Sequence, residues 1–315
     1  MGAKNKRGQV FGALLLILAA LIWGTSFVAQ DVGMDYLGPF TFNGIRSLVG
    51  CTALLPLLVY RSLLTKRAQK AGRTERRTES KGWTVKEKRP LLRGGILCGL
   101  VLCTASNLQQ VGIRHSTVGK AGFLTTLYIV IVPLLGLLRG KIPRPVMWVS
   151  VAVAMAGIYA LSFTGEGEGV SLGDILLLLC AVFYAFHILA VDRYAPKVNG
   201  VALSCIQFLI SGVITMVLAF LFETPNPGTI LSAWFPILYA GVMSSAIAYT
   251  LQIIGQRYVN PVAAPVIMSL ESVFAVLSGW LVLGQTLQPR EWLGCGLVFG
   301  AVLLAEYASR EKSVK

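Results

Sequence analysis

One carboxylate, Glu271, stands in the middle of an apolar run, Pro261–Gly284, that is long enough to cross a bilayer. A charge there costs roughly 2.5–3.5 kcal/mol on insertion scales, so an intramembrane acid marks a candidate functional site with a partner to be found. Two readings stand. Glu271 binds a cationic or amino group, or takes a proton during a working cycle; alternatively, it is a protonated carboxyl hydrogen-bonded between helices.

Arg46 lies in the second apolar run. A guanidinium stays charged at physiological pH, so Arg46 must snorkel, meet an acid or line water. Asp31, at the end of the first run, is the expected structural partner, and binding of a substrate carboxylate is the alternative. Position within each run sorts the remaining polar residues by depth. Tyr128, Thr125, Thr126 and Ser269 fall near Glu271, while Trp23, Asn43, Asn107, Gln109 and Gln110 form an outer vestibule with Arg46. Tyr184, His187, Gln207, Tyr249 and Gln252 form an inner one. His187 is either a titrating group or a hydrogen-bonded packing residue, and Trp23 either gates the cavity or fills a helix interface.

Enzymatic constellations are missing from the sequence. An integral membrane enzyme would need a second group at the depth of Glu271, and Asp192 and Glu306 lie toward the inner face. The string Gly165-Glu-Gly-Glu-Gly169 follows an apolar run rather than a strand, so it is not a phosphate loop. The six cysteines sit inside apolar runs without metal-ligand spacing and read as small packing residues. Neither a metal nor a cofactor is expected.

The elements that must hold these residues are membrane helices. The 315-residue chain is 55% hydrophobic and 13% charged, with a mean hydropathy of +0.69, against about 25% charged residues in soluble domains. A hydrocarbon core about 30 Å thick needs about 20 apolar residues of helix. Ten runs qualify: 9–31, 38–61, 91–112, 117–139, 143–163, 171–192, 200–222, 231–257, 261–284 and 289–309. The period-two alternation of a barrel strand is absent, which leaves an all-α integral membrane protein.

The net charge of +14 is an orientation signal rather than a nucleic-acid one. Basic residues collect in alternate loops, twelve of them between Arg61 and Arg93, while Asp31, Asp35, Glu166, Glu168 and Glu223 lie on the other side. The positive-inside rule makes both termini cytoplasmic. The expected partners are the lipid bilayer and a small-molecule substrate, without nucleic acid. The N-terminal apolar run continues to about Val28 without a cleavage site and reads as the first span.

The chain also repeats itself. Sliding Leu108–Gly136 by 143 positions onto Leu251–Gly279 aligns nine identities, among them Gln109/Gln252, Gly112/Gly255 and Leu127/Leu270, and places Tyr128 on Glu271. An offset of 161 aligns Gly12/Gly173, Asp31/Asp192 and Leu48/Leu209, and places Arg46 on Gln207. The difference of 18 falls in the charged loop 61–90. Residues 1–163 and 164–315 are therefore two five-helix units, and an odd number of spans turns the second upside down. Inverted repeats are the usual frame of alternating-access carriers.

The motifs Ala20-Leu-Ile-Trp23-Gly24-Thr-Ser26-Phe, Pro39 with Arg46, Ala121 to Thr125 with Pro133-Leu-Leu-Gly136, and Leu270-Glu271-Ser-Val-Phe274 with Gly284 carry a resemblance to the drug/metabolite transporter superfamily, EamA branch. It implies a ten-helix secondary carrier of a small polar or amphipathic metabolite, with export of amino acids or related compounds as the leading expectation. Nutrient uptake, or a non-transporting scaffold or sensor working through the basic loop, are the alternatives. The sequence departs from the family at Glu271-Ser272, where family members commonly have Glu-Pro, so any kink there is expected from Pro261 or Pro265. The first-span carboxylate that couples small multidrug exporters to protons is also missing, which speaks against that kind of export, although a proton remains a possible coupling ion. A bacterial plasma membrane suits the chain.

Overall fold

The ten apolar runs become helices because hydrocarbon offers no partner for a backbone N–H or C=O, so each run must satisfy its own. The computed structural model describes residues 6–70, 85–115, 118–138, 140, 142–162, 171–283 and 288–310, and these contain no strand. Residues 71–84 of the basic loop and the string 165–169 lie outside the described residues.

In chain order the helices are α1 (Lys6–Met34), α2 (Pro39–Lys70), α3 (Val85–Arg114), α4a (Val118–Thr126), α4b (Tyr128–Leu137), α5 (Pro145–Ser162), α6 (Leu172–Tyr194) and α7 (Gly200–Phe222). Next come α8, built from Trp234–Leu238, Tyr239–Ala248 and Tyr249–Gly255, then α9a (Ala263–Met268), α9b (Leu270–Leu283) and α10 (Pro289–Arg310). Seven are long and apolar enough to cross a membrane, and three shorter apolar stretches, Ala121–Leu137, Pro145–Leu161 and Ala263–Ser278, coincide with the other expected runs. Phe220, Leu221 and Phe222, each about 70% exposed, present an apolar surface that suits lipid rather than water.

Local chemistry sets the helix ends. Ser171 and Asp174 form a reciprocal capping box that starts α6, and Asn199 Oδ1 accepts from Val201 and Ala202 N–H to start α7. The first turn of α2 is capped from a distant part of the chain. Glu223, just past α7, accepts from the Phe40 and Thr41 amides at 2.9 and 2.8 Å and from the Thr41 hydroxyl at 2.6 Å. A carboxylate at a helix N-terminus also suits the helix dipole, so one end of the α2–α7 pair is clamped.

Helix packing follows the sequence repeat. α1 packs on α8 and α9 as α6 packs on α3 and α4, while α2 pairs with α7 and α5 with α10. Glycines allow the closest approaches. A Cβ on Gly12 would lie 2.8 Å from Gly255 O, and one on Gly173 would lie 2.8 Å from Gly112 O. Gly12 aligns with Gly173 and Gly112 with Gly255, so these are the same contact made twice. Gly24 brings α1 against α9b, where a Cβ would sit 2.7 Å from Glu271 O.

Two helices are interrupted at matching places. α4 breaks at Leu127 and α9 at Ser269. Beside each break a hydroxyl bonds back to the preceding turn: Thr126 Oγ1 to Gly122 O at 2.6 Å, and Ser269 Oγ to Val266 O at 2.7 Å. Thr126 and Ser269 are equivalent at the 143-residue offset, and such back-bonding bends helices. The expected proline kink is thus corrected. Pro265 is the third residue of α9a, where its missing N–H is tolerated, and the interruption falls at Ser269 instead.

Candidate functional site

The two breaks bring Tyr128 and Glu271 together. Tyr128 opens α4b, Glu271 is the second residue of α9b, and the Tyr128 hydroxyl donates to Glu271 Oε1 at 3.0 Å across 143 residues of chain. Both side chains are buried. They line a partly open cavity, about 520 Å³ of empty space with the adjoining solvent included, together with Trp23, Phe27, Gln30, Arg46, Gln109, Thr125, Tyr184, His187, Ile188, Ser244, Tyr249, Gln252 and Met268.

Ten of these fifteen side chains form five pairs related by the repeat: Trp23/Tyr184, Phe27/Ile188, Gln109/Gln252, Thr125/Met268 and Tyr128/Glu271. The cavity therefore lies where the two sets of equivalent helices converge, and the Tyr128–Glu271 bond joins them. The groups that break the pairing are mostly the most polar. Arg46 stands against Gln207, and His187 against Ser26.

Nine of the twelve sequence-proposed residues line this cavity: Glu271, Tyr128, Trp23, Arg46, Thr125, Gln109, His187, Tyr249 and Gln252. The separate outer and inner vestibules merge into one chamber. Asn107, Gln110 and Gln207 stand outside the lining. Asn107 supports Arg46 through Asn43, Gln207 Oε1 meets His187 Nε2 at 3.1 Å, and Gln110 is fully buried. The expected Asp31–Arg46 pair is corrected too: Asp31 is exposed, and the Arg46 Nε–H donates to Asn43 Oδ1 at 2.7 Å.

Aromatic rings pack one wall. Tyr249 takes edge contacts from Trp23 at 4.8 Å, Phe208 at 5.1 Å and His187 at 5.9 Å between centroids, and the Tyr184 hydroxyl donates to Gln109 Oε1 at 2.9 Å. Several buried polar atoms in the lining lack a protein partner among the described residues: Trp23 Nε1, Gln30 Oε1, His187 Nδ1 and Gln252 Oε1. Leaving such groups unmade costs about 1–3 kcal/mol each, so water or a polar ligand is their natural complement.

The sequence reading missed Phe27, Gln30, Ile188, Ser244 and Met268. Trp23, Phe27 and Gln30 follow i, i+4, i+7 spacing on one helix face, a signal available in the sequence. Ser244 carries no such signal, because Tyr239–Ala248 is π-helical and its wider turn puts Ser244 in phase with Tyr249. Among the described residues no cluster suited to a metal ion occurs.

Comparison with known proteins agrees with this architecture. The model of the EamA-like transporter family matches residues 10–163 and 171–307. An "uncharacterized transporter" of Archaeoglobus fulgidus is 30% identical over 301 residues, covering 94% of this chain and 86% of that protein. The Escherichia coli K12 inner membrane transporter YedA is 28% identical over 300 residues, 94% of this chain and 90% of its own. The threonine/homoserine exporter RhtA of the same strain is 30% identical over 175 residues, 54% of this chain and 58% of its own. A solved crystal structure superposes with a TM-score of 0.74 at 18% identity, covering 96% of this chain and 98% of that one.

Proposed function

Since the chain belongs to the EamA-like transporter family and is a multi-pass membrane protein, we propose that it is a secondary carrier working by alternating access. Two inverted five-helix halves, 1–163 and 164–315, would open the shared cavity to one side and then the other. The observation that supports this most is the Tyr128–Glu271 bond, which ties equivalent helices of the two halves together inside the cavity. A rocking motion has to pass through that contact.

The substrate is a small polar metabolite, an amino acid or related compound, and the direction is export. The cavity's mixture of aromatic walls and unpartnered polar atoms, and the name of the RhtA relative, support this choice. Both termini are cytoplasmic, and a proton passing through Glu271 is the coupling ion. A thermal-shift screen of the purified protein against amino acids, polyamines, nucleosides and cationic drugs tests the reading. A ligand present at 100 times its Kd stabilises the folded state by about 2.7 kcal/mol. Amino acids should raise the melting temperature of wild type and not of Glu271→Gln. Stabilisation by another class alone would replace the substrate assignment, and an equal response of both proteins would move the site elsewhere.

A further inference from the structure

We propose that the free edge of the Arg46 guanidinium is the seat for a substrate carboxylate, and that Asn43, Asn107 and Thr215 form a relay that holds it in position. The proposal deepens the carrier reading and rests on it. Arg46 is only 5% exposed and lines the cavity. No acidic side chain pairs with it among the described residues, and its one protein hydrogen bond there is Nε–H to Asn43 Oδ1 at 2.7 Å.

The relay has a single direction. The Asn43 amide, accepting from Arg46 through Oδ1, donates through Nδ2 to Asn107 Oδ1 at 2.8 Å and to Ser106 Oγ at 3.1 Å. Asn107 in turn donates through Nδ2 to Thr215 Oγ1 at 2.8 Å. Because each amide has its carbonyl on one side and its NH₂ on the other, flipping either would oppose donor to donor or acceptor to acceptor. The chain from α7 through α3 and α2 therefore fixes which guanidinium edge is used. Nε is occupied, and the two Nη nitrogens remain for the cavity.

That remaining edge is the planar fork that a carboxylate meets with two parallel hydrogen bonds. A guanidinium cannot shed its charge, and a buried one without a counterion is costly. A bound anion would supply the missing partner. Glu271 in the same cavity disfavours a doubly charged phosphate and selects a ligand that pairs its carboxylate with an amino group. The seat exists in one half only, since the counterparts of Asn43 and Arg46 are Ser204 and Gln207, and Gln207 is engaged with His187.

The test is equilibrium binding to the purified full chain. The twenty L-amino acids are screened, and the tightest binder is compared with its amino alcohol, in which CH₂OH replaces the carboxylate. Wild type should prefer the acid at least tenfold. In Arg46→Gln that preference should collapse to about one while the amino alcohol binds as before; Arg46→Lys, which keeps charge but loses the fork, should fall between. Asn43→Ala should reduce the preference with Arg46 intact, a change that a purely structural role would not produce. Cooperative melting of each variant confirms folding. An undiminished preference in folded Arg46→Gln, with binding still lost in Glu271→Gln, would overturn the seat and leave the carrier reading standing. If folded wild type binds no amino acid, the seat and the amino-acid assignment fall together, and the carrier reading stands for a substrate of another class.

Discussion

α4 and α9 are built to one plan and carry different chemistry. Each is interrupted at an equivalent turn, each uses a hydroxyl back-bond at the break, and each delivers a side chain just past the break to the same cavity. Yet one delivers Tyr128 and the other Glu271. The pair Arg46 and Gln207 repeats the contrast on α2 and α7. Shape in this molecule follows the repeat, whereas ionisable groups do not. Equivalent backbones suffice for exchange between two conformations, while recognition of an asymmetric ligand needs different groups at equivalent points.

The comparison breaks most severely if charge is removed from the odd partner. Glu271→Gln keeps an oxygen able to accept from Tyr128 and removes the carboxylate, so substrate binding should weaken by about a hundredfold or more, equivalent to roughly 3 kcal/mol, with little change in melting temperature. Binding isotherms beside thermal melts separate the two effects.

The shared plan can be strained instead. Gly12→Ala and Gly173→Ala each drive a methyl into a backbone oxygen of the facing helix, 2.8 Å from Gly255 O and 2.8 Å from Gly112 O respectively. Each should destabilise by about 1–3 kcal/mol through overpacking, and by similar amounts, because the two sites are the same contact. Gly296→Ala meets nothing within 4 Å and should leave the melt unchanged. A large effect at Gly12 with none at Gly173 would deny the equivalence.

A milder change tests the bond between the halves. Tyr128→Phe removes the donor to Glu271 and should cost about 1 kcal/mol of stability. In a double-mutant cycle with Glu271→Ala the two losses should be non-additive, and additive losses would mean that the pair does not act as one.

The helical scaffold was legible in the sequence, because bilayer thickness dictates run length. Placement of side chains around the axis was less so. Depth along a helix put Asn107 and Gln109 together, but their neighbouring faces differ: Gln109 lines the cavity and Asn107 faces Thr215 behind it. Arg46 was matched to an acid by proximity in sequence, whereas its partner is Asn43, one turn away on the same helix. The interruption at Ser269 was assigned to proline because a hydroxyl back-bond leaves no compositional mark. The π-helical stretch of α8 hid Ser244 in the same way, by shifting helical phase.

The central claim, that one cavity shared by two equivalent halves carries the substrate, is tested most directly by counterflow in proteoliposomes. Vesicles loaded with an unlabelled amino acid identified by the binding screen are diluted into its radiolabelled form. Wild type should accumulate label transiently, and Arg46→Gln and Glu271→Gln, both folded, should not. Counterflow at the wild-type rate in both variants would contradict the claim.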